Sequence, residues 1–431
     1  MTDNTKQSTK IKSGPTTLLP NVSVIVPVYN GGDQFEDCLA AIARWKPTNW
    51  ELIVVDDGST DNSAALARHY GAVVMSTEGR LGPGAARNIG SRYASGEYVC
   101  FIDADCEVNA VTFKNMAGIL SRDTAIDALF GSYDTTPRAP SFLSQYKNLM
   151  HHWVHQNSSE EAATFWSGCG VVRRSLFLAL GGFDVVTYKR PSIEDIDLGY
   201  RIKQSGGKIV LSKKVQVKHY KNWTLMCLLK TDIFDRGIPW TRLILNDKSR
   251  LINDLNLGKD QRLSLVVTYL LLLSLVLTPL VPHAGYAAAA LAVVLFALNI
   301  NTYSFFVKRR GALFAIPAIC MHWLYFVYCG IAFWCGVALH TRDKIQGKSV
   351  LPVTPIEDSA GQFRQSQSGN SQPANSQASE STTQLTAATA QTNFAASAQA
   401  NLAPAQANFA PAQTNFATAT TSAVTASTQT V

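Results

Sequence analysis

The sequence contains few charged residues, because only 16% of its 431 residues are Asp, Glu, Lys or Arg. An ordinary soluble domain has roughly 25%. The deficit is greatest between residues 263 and 339, a segment without Asp or Glu whose only basic residues are Lys308, Arg309 and Arg310. Three stretches in it (263–281, 287–307 and 312–339) have about the 20 residues that a bilayer-spanning helix needs. The sequence therefore predicts a membrane anchor of about three helices.

Paired cysteines are also absent, since the eight Cys residues are scattered singly and no CxxC occurs. This pattern excludes a disulfide scaffold and a zinc ribbon, and it fits a reducing compartment.

Both ends of the chain lack the patterns of folded structure. The first 20 residues are polar, contain no apolar core of a signal peptide, and are predicted to be disordered. Residues 356–431 nearly lack charge and repeat a short Ala/Gln/Asn/Phe unit that Pro404 and Pro411 interrupt. A disordered tail is the expected result.

Residues 21–222 alternate between two kinds of segment. Apolar runs rich in Val and Ile occur at 22–29, 51–56, 72–75 and 98–103, and amphipathic stretches follow them at 33–46, 61–70, 83–93 and 110–121. Alternating strands and helices of this length predict an α/β domain with a mostly parallel, twisted sheet between flanking helices.

The connector between this domain and the anchor, residues 223–262, is basic. From 205 to 262 there are twelve Lys and Arg residues against five Asp residues. Residues 223–229 and 234–245 mix Trp, Leu, Ile and Phe with basic side chains, as interfacial helices do. We expect one or two helices along the cytoplasmic membrane surface, because basic segments before a span favour that side.

Acidic motifs follow two of the predicted strands. Asp56-Asp57-Gly58-Ser59 ends the second run, and Asp103-Ala104-Asp105 ends the fourth. Ligands of open α/β sheets bind beyond the carboxyl ends of the strands. Adjacent carboxylates repel each other unless a cation neutralises them, and a hard divalent ion suits carboxylate and phosphate ligands. The alternative for both motifs is ordinary turn and cap chemistry.

Three further features are weaker when taken alone. A glycine-rich turn at 82–84 leads into a helix that carries Arg87, and helix N-termini attract phosphate. Glu194-Asp195 opens a helix, where acidic residues complement the helix dipole or one of them acts as a general base. His219 follows a basic stretch, and a lone histidine is more often structural than a ligand.

Together these motifs resemble family 2 glycosyltransferases, over residues 21–244 and in the order typical of that family. They are VIVPVYN at 24–30, VVDDGSTD at 54–61, GAARN at 84–88, FIDAD at 101–105 and the pair Glu194-Asp195. The membrane segments look like those of its membrane-anchored members. The resemblance implies a GT-A fold, a nucleotide-diphospho-sugar donor, a Mg²⁺ or Mn²⁺ ion and inversion at the anomeric carbon.

The resemblance also implies roles for individual residues. The nucleotide sugar would contact Pro27, Tyr29, Asp56, Asp57, Arg87 and Asp103. The metal would be held by Asp103 and Asp105, with Asp105 the direct ligand and His219 a further one. Asp195 would be the catalytic base, and the acceptor site would be formed by Trp166, Gly168, Glu194 and Trp240.

One departure concerns processivity. Processive members carry a Q-x-x-R-W motif, whereas the nearest segment here is Arg236-Gly-Ile-Pro-Trp240. Single-transfer chemistry is therefore favoured, with a processive polysaccharide synthase as the alternative.

The predicted function is that of a membrane-bound, inverting, hexosyltransferase-type enzyme. Its donor would be UDP-linked, and its acceptor a hydroxyl or phosphate of a lipid, a polyprenyl phosphate or a cell-surface glycan, with no nucleic-acid partner. A non-catalytic membrane scaffold is an alternative, although every acidic motif is present. A sugar nucleotidyltransferase is a further alternative. That class would have a basic glycine-rich loop where this chain has Val28-Tyr29-Asn30-Gly31, so the sequence disfavours it.

The predicted topology is a multi-pass cell-membrane protein with a cytoplasmic catalytic domain. Three spans would leave the tail outside. That arrangement puts Arg342, Lys344 and Lys348 outside, against the charge bias of membrane proteins. A re-entrant third helix would keep them inside and is the alternative.

Overall fold

The computed structural model describes residues 20–250 and 258–347. The expected disorder of residues 1–20 falls outside this range except for Pro20, and the predicted disordered tail at 356–431 falls outside it entirely.

A mixed nine-stranded sheet forms the centre of the N-terminal domain, in the order β3-β2-β1-β4-β8-β6-β9-β5, with β7 paired to β9. The strands are β1 (Val22–Val28), β2 (Glu51–Asp56), β3 (Val73–Ser76), β4 (Tyr98–Ile102), β5 (Cys106–Val108), β6 (Ala128–Tyr133), β7 (Glu161–Ala162), β8 (Cys169–Arg173) and β9 (Ile209–His219). The first four are mutually parallel. β8 runs antiparallel to β4 and β6, so the second half of the sheet is mixed. The predicted α/β fold class is confirmed.

Seven helices flank this sheet. They are α1 (Gly32–Trp45), α2 (Ser63–His69), α3 (Pro83–Tyr93), α4 (Thr112–Arg122), α5 (Phe142–Asn157), α6 (Arg174–Ala179) and α7 (Glu194–Gln204). The four helices predicted up to residue 121 begin and end within about two residues of α1 to α4.

Apolar side chains pack on both faces of the sheet. One cluster includes Phe35 and Phe113, from α1 and α4. The other includes Phe101 and Phe177, from β4 and α6, whose ring centroids lie 5.4 Å apart. Every residue of β1 is buried, which explains its uninterrupted apolar sequence.

The connector forms a single helical segment over residues 225–246, which we call the connector helix. It consists of α8 (Leu225–Lys230), a π-helical stretch (Thr231–Gly237) and α9 (Ile238–Asn246). The Thr224 hydroxyl accepts a hydrogen bond from the Cys227 N–H and caps its start. The predicted connector helices are therefore present as one continuous segment.

The anchor region contains four helices: α10 (Lys259–Leu277), α11 (Ala284–Leu298), α12 (Ile300–Arg310) and α13 (Ala312–Ile345). By length and composition, α10 and α13 could each cross a membrane. The stretch predicted as one helix at 287–307 is instead bent by 63° between α11 and α12. The Asn299 side chain at this bend donates hydrogen bonds to the Ser264 hydroxyl and the Leu295 carbonyl. Such a polar insertion is a known cause of helix kinks.

Candidate active site

The carboxyl ends of β1 and β2 form one side of the site. Pro27 is buried within β1, and Tyr29 follows it with 39% of its surface exposed. The guanidinium carbon of Arg80 lies 4.1 Å from the Tyr29 ring centroid. Tyr29 is therefore covered on one side by the loop that follows β3.

Asp57 shapes that same loop. Its buried carboxylate accepts hydrogen bonds from the backbone N–H groups of Leu81 and Gly82, both at 2.8 Å, and from the Thr77 hydroxyl. Neighbouring Asp56 accepts from the Ser59 N–H at 3.0 Å. The structure thus places Asp56 and Asp57 at the carboxyl edge of the sheet, where they accept hydrogen bonds from loop atoms.

Arg87 lies beneath the first metal-site carboxylate. Gly82 precedes α3 with a φ of 92°, and Pro83 starts the helix. The Arg87 side chain on this helix is 4% exposed, and its Nη2 atom lies 2.5 Å from Asp103 Oδ1. Asp103 itself is 32% exposed, so its carboxylate lies between the buried guanidinium and the solvent.

Asp103 and Asp105 lie close together just after β4. Ligand atoms of Asp103, Asp105 and Cys106 all lie within 4.8 Å of one another. Burial raises the pKa of the Cys106 thiol well above its usual value, so this group stays protonated and is a poor ligand. A hard divalent ion prefers the two carboxylates. The residues present therefore fit a Mg²⁺ or Mn²⁺ ion.

His219 lies next to this pair. Its Nε2 atom is 3.5 Å from Asp105 Oδ2, and its ring stacks on Tyr133 with a centroid distance of 4.1 Å. Burial acts to raise the pKa of Asp105, but the His219 hydrogen bond and the charges of His219 and Lys221 outweigh it, and the pKa lies below its usual value. His219 can therefore orient Asp105 or join it as a ligand.

Asp195 is half-buried in the first turn of α7. Its Oδ2 atom accepts hydrogen bonds from the Ser167 N–H at 3.2 Å and the Ser167 hydroxyl at 3.3 Å. Burial raises the pKa of Asp195 above its usual value, although the Ser167 bond and the charges of Arg236 and Arg87 oppose the shift. A carboxylate with a raised pKa is a stronger base, as a proton acceptor requires.

Glu194 is buried beside it. Burial and the Asp195 charge raise the pKa of Glu194 to about 7, and its carboxylate accepts a hydrogen bond from the Ser192 N–H. The two adjacent acids thus have different hydrogen-bond partners. Asp195 accepts from Ser167, which lies in the predicted acceptor segment, and Glu194 accepts from Ser192.

Trp166 and Gly168 belong to one packing unit. A Cβ atom on Gly168 would lie 2.5 Å from Trp166 Cζ2, so the glycine is needed for the indole to take its position. The Gly168 carbonyl also accepts a hydrogen bond from the Asp103 N–H. Gly168 therefore acts on the site through Trp166 and Asp103.

Sequence reasoning missed the aromatic and imidazole cluster around Trp166. Tyr133 lies 4.9 Å from Trp166 and 4.3 Å from His151, measured between ring centroids. His151 in turn lies 3.9 Å from His155. The signal was the i, i+4 spacing of these two histidines, which places them on one face of α5.

Trp240 packs against α7, the helix that begins with Glu194 and Asp195. Its indole N–H donates to the Tyr200 hydroxyl at 3.2 Å, and it packs with Ile193 and Leu243. The contacts seen for Trp240 join the connector helix to the catalytic domain.

Arg236 is exposed on the π-helical stretch, and its positive charge lowers the pKa values of Asp195 and His151.

The fold and site define an α/β domain with an acid-rich ligand site at the carboxyl edge of its sheet. Residues 23–181 match the family model described as glycosyl transferase family 2. The chain therefore carries a family 2 glycosyltransferase domain, and the predicted family is confirmed.

Several known proteins are similar to parts of this chain. The uncharacterized glycosyltransferase YibD of Escherichia coli is 37% identical over 106 residues, which are 24% of this chain and 31% of YibD. Glycosyltransferase AglE of Haloferax volcanii is 28% identical over 153 residues, 34% of this chain and 50% of AglE. The chain thus spans half or less of the length of these relatives. Among solved structures, mannosyltransferase PcManGT from Pyrobaculum calidifontis, in complex with GDP-Man and Mn²⁺, is 19% identical with a TM-score of 0.48, covering 74% of this chain and 88% of that one.

Proposed function

We propose that this protein is a membrane-bound, inverting glycosyltransferase. It transfers one sugar from a nucleotide-diphospho-sugar, UDP-linked by family resemblance, to a hydroxyl or phosphate of a lipid, polyprenyl-phosphate or surface-glycan acceptor. The observation that carries this proposal is the convergence of Arg87, Asp103, Asp105 and Asp195 at one edge of the sheet.

The donor binds along the carboxyl ends of β1, β2 and β4. The nucleoside lies between Tyr29 and the loop that Asp57 organises, and the diphosphate lies toward Asp103 and Asp105. Asp103 and Asp105 would hold a divalent ion, which would supply positive charge to the departing diphosphate. The buried Arg87 guanidinium orients Asp103 from below and adds positive potential at the same place.

The acceptor enters beside Trp166 and Asp195. Asp195 takes the proton of the acceptor hydroxyl as the new bond forms. Its two Ser167 hydrogen bonds hold Oδ2, and Oδ1 accepts a hydrogen bond from the Ile196 N–H at 2.8 Å. One displacement by the acceptor oxygen inverts the anomeric carbon and needs no covalent enzyme intermediate. Arg236, exposed near Asp195, favours an acceptor that carries negative charge.

The anchor helices favour an acceptor in or near the membrane. The apolar helices α10 and α13 support membrane attachment, and the basic connector supports a cytoplasmic catalytic domain.

The experiment uses the full chain in lipid nanodiscs with a panel of nucleotide sugars and a membrane lipid extract. We expect a glycosylated product by mass spectrometry, with inverted anomeric configuration by NMR, in the presence of Mg²⁺ or Mn²⁺ only. Full turnover in excess EDTA would contradict the assigned role of Asp103 and Asp105.

The variant Asp195→Asn tests the base. Transfer should fall about 100- to 10,000-fold, while donor affinity by calorimetry stays unchanged because only the proton acceptor is altered. Asp123→Asn is the matched control, since Asp123 pairs with Lys208 on the surface away from the site, and it should keep full activity. Loss of donor affinity in Asp195→Asn would show that the residue has another role.

A further inference from the structure

The connector helix and α13 pack side by side over much of their length. A Cβ atom on Gly237 would lie 2.7 Å from Ala332 Cβ, and one on Gly336 would lie 2.7 Å from Thr241 Cβ. These small residues let the two helix backbones approach closely. Residue numbers increase together along both helices, so the pair is parallel.

The connector helix is attached to the catalytic domain at both of its ends. Near its start, the Trp223 N–H donates to the Ser144 hydroxyl, and Lys147 pairs with Asp232 at 2.6 Å. Near its end, Leu243 is buried against Ile193 and Tyr200.

The residues just past the end of the connector helix continue this attachment. The Asp247 carboxylate accepts a hydrogen bond from Gln204, and Arg250 pairs with Asp197 at 3.1 Å. The connector helix therefore lies along the surface of the catalytic domain.

Helix α13 contacts the catalytic domain at its start, and the connector helix at its middle and end. At its start, the Phe314 ring lies 5.2 Å from Phe142 of α5. At its middle, the Tyr328 hydroxyl donates to Asp232. At its end, Asp343 pairs with Arg242 at 2.8 Å, one residue before the buried Leu243.

These contacts argue against a transmembrane α13. From Phe314 to Asp343 the helix rises about 44 Å, more than the roughly 30 Å of a hydrocarbon core. A spanning helix would carry its far end away from the catalytic domain by that distance. Here the far end is joined through Arg242 to the part of the connector helix whose Leu243 packs on Ile193 and Tyr200 of the catalytic domain.

The outer side of α13 carries large apolar side chains. Leu313, Ile316, Ile331 and Trp334 are among those more than a third exposed. Basic residues flank both ends of the helix, with Lys308 and Arg309 before it and Arg342 and Lys344 in its last turn. Basic flanks at both ends obey the charge bias only when both ends lie on the same side.

We propose that α13 lies in the plane of the membrane within one leaflet. Its exposed apolar side rests on lipid acyl chains, and its basic ends lie among anionic headgroups. The α10–α11 hairpin, whose outer half carries exposed residues such as Leu273 and Val276, enters the bilayer more deeply. In this arrangement the last turn of α13 stays on the side of the catalytic domain, which differs from the predicted three-span arrangement.

Spin labels on single cysteines measure the depth of α13. The full chain is placed in vesicles with anionic lipid, and labels are attached in turn at five exposed positions, namely Leu313, Cys320, Leu324, Ile331 and Cys335. Each exposed native cysteine that is not the labelled position is replaced by Ala. Oxygen and a water-soluble nickel complex report the depth of each label. We expect one level depth along α13, and a progressive change between Leu263 and Val276 of α10 as the matched control.

Two results would overturn the proposal. A depth that passes through a maximum midway along α13 shows a spanning helix. Low accessibility to both oxygen and nickel shows that a second protein copy, and not lipid, covers the outer side.

Cysteine labelling tests the side of the membrane independently. Gln346→Cys follows α13, and Lys114→Cys lies on the catalytic domain as the matched control; both are made in a chain with Cys320→Ala and Cys335→Ala. An impermeant maleimide is applied to intact and to lysed cells. The same labelling pattern at both positions supports the proposal, and opposite patterns overturn it.

Discussion

At the scale of single residues, the charge state of Asp195 is set by opposing effects. Burial raises the pKa of its carboxyl group, whereas the Ser167 hydrogen bonds and the nearby positive charges of Arg236 and Arg87 lower it. Catalysis as a base requires the ionised form, so the rate should increase with pH through this pKa.

Arg236→Ala should therefore shift the acidic limb of the pH–rate profile to higher pH. Removal of the positive charge removes an effect that lowers the pKa of Asp195, so a higher pH is needed to ionise it. The measurement is kcat/KM against pH, and Arg236→Lys, which keeps the charge, should restore the original limb. An unshifted limb in Arg236→Ala would show that the guanidinium does not act on the base.

Glu194 should make stability depend on pH. Its folded-state pKa is raised to about 7 from an ordinary 4.5. Between these values the folded chain holds a proton that the unfolded chain has lost, so the free energy of unfolding decreases as pH rises. The loss is up to about 3 kcal/mol at 1.36 kcal/mol per unit. Urea unfolding in detergent at pH 5 and pH 7.5 should differ less for Glu194→Gln, and equal pH dependence would contradict the assignment.

The sequence predicted which carboxylates meet at the site but not what they contact. Asp103 and Asp105 follow a buried strand, so their location depends on local pattern alone. The Arg87–Asp103 pair and the stacking of His219 on Tyr133 depend on how α3, β6 and β9 come together, which no local pattern specifies. Asp57 shows the same limit, because its partners belong to a loop more than 20 residues away.

At the scale of elements, the segment at 165–170 links the acceptor side of the site to the metal side. Gly168 makes room for Trp166, which touches Tyr133, and Tyr133 stacks on His219 beside Asp105. A shift of the indole therefore reaches the carboxylate pair through three side chains in contact.

Gly168→Ala should weaken divalent-ion binding and cost about 1–3 kcal/mol of stability, because the added methyl displaces the Trp166 ring. Calorimetry with Mn²⁺ and urea unfolding measure the two effects. Gly118→Ala is the matched control, since its added methyl would meet only the Arg122 side chain at 3.5 Å. Unchanged Mn²⁺ affinity in Gly168→Ala would separate Trp166 from the metal site.

The ion pair between Arg242 and Asp343 should stabilise the packing of the connector helix on α13. A double-mutant cycle with Arg242→Met and Asp343→Asn should give a coupling of about 0.5–3 kcal/mol. The exposed pair of Lys208 and Asp123 is the control and should give about 0–1 kcal/mol. Thermal unfolding in nanodiscs supplies the values, and equal couplings for the two pairs would refute a special role for the buried one.

Element boundaries were predicted closely where hydrophobic periodicity was strong, as in β1, β2 and α1 to α4. The break at Asn299 was not predicted because the apolar composition continues across it. The bend depends on a hydrogen bond to Ser264, a residue on another helix, and on the packing of α12 against α5. Composition reports how apolar a segment is and contains no information about such partners.

At the scale of the whole molecule, one face of the catalytic domain is covered by helices that are themselves apolar on the outside. Clusters of buried aromatic residues join α5 to α12 and α13, including Tyr146, Tyr303 and Phe306. The domain and its anchor therefore form one packed unit across the described residues. Length and composition make α13 a candidate span, and neither records which of its apolar residues face protein.

We expect the protein to stay in the membrane pellet after washes with high salt and with alkaline carbonate. The α10–α11 hairpin buries apolar surface in lipid, and this attachment does not depend on screened charges. Immunoblots of pellet and supernatant measure the distribution. Release by salt alone would mean that only the basic connector holds the protein to the bilayer.

The packing of Leu243 on Ile193 sets the distance between Asp195 and the helices on that side of the domain. Ile193 lies two residues before Asp195, so the proposed base lies close to the connector helix, which itself packs on the α13 that is proposed to rest on the bilayer. The short distance between the proposed base and the bilayer surface then selects acceptors whose hydroxyl groups lie close to the lipid headgroups. Acceptor hydroxyl groups on short lipid headgroups reach the base directly. The far end of a long glycan would have to fold back toward the membrane surface to be modified.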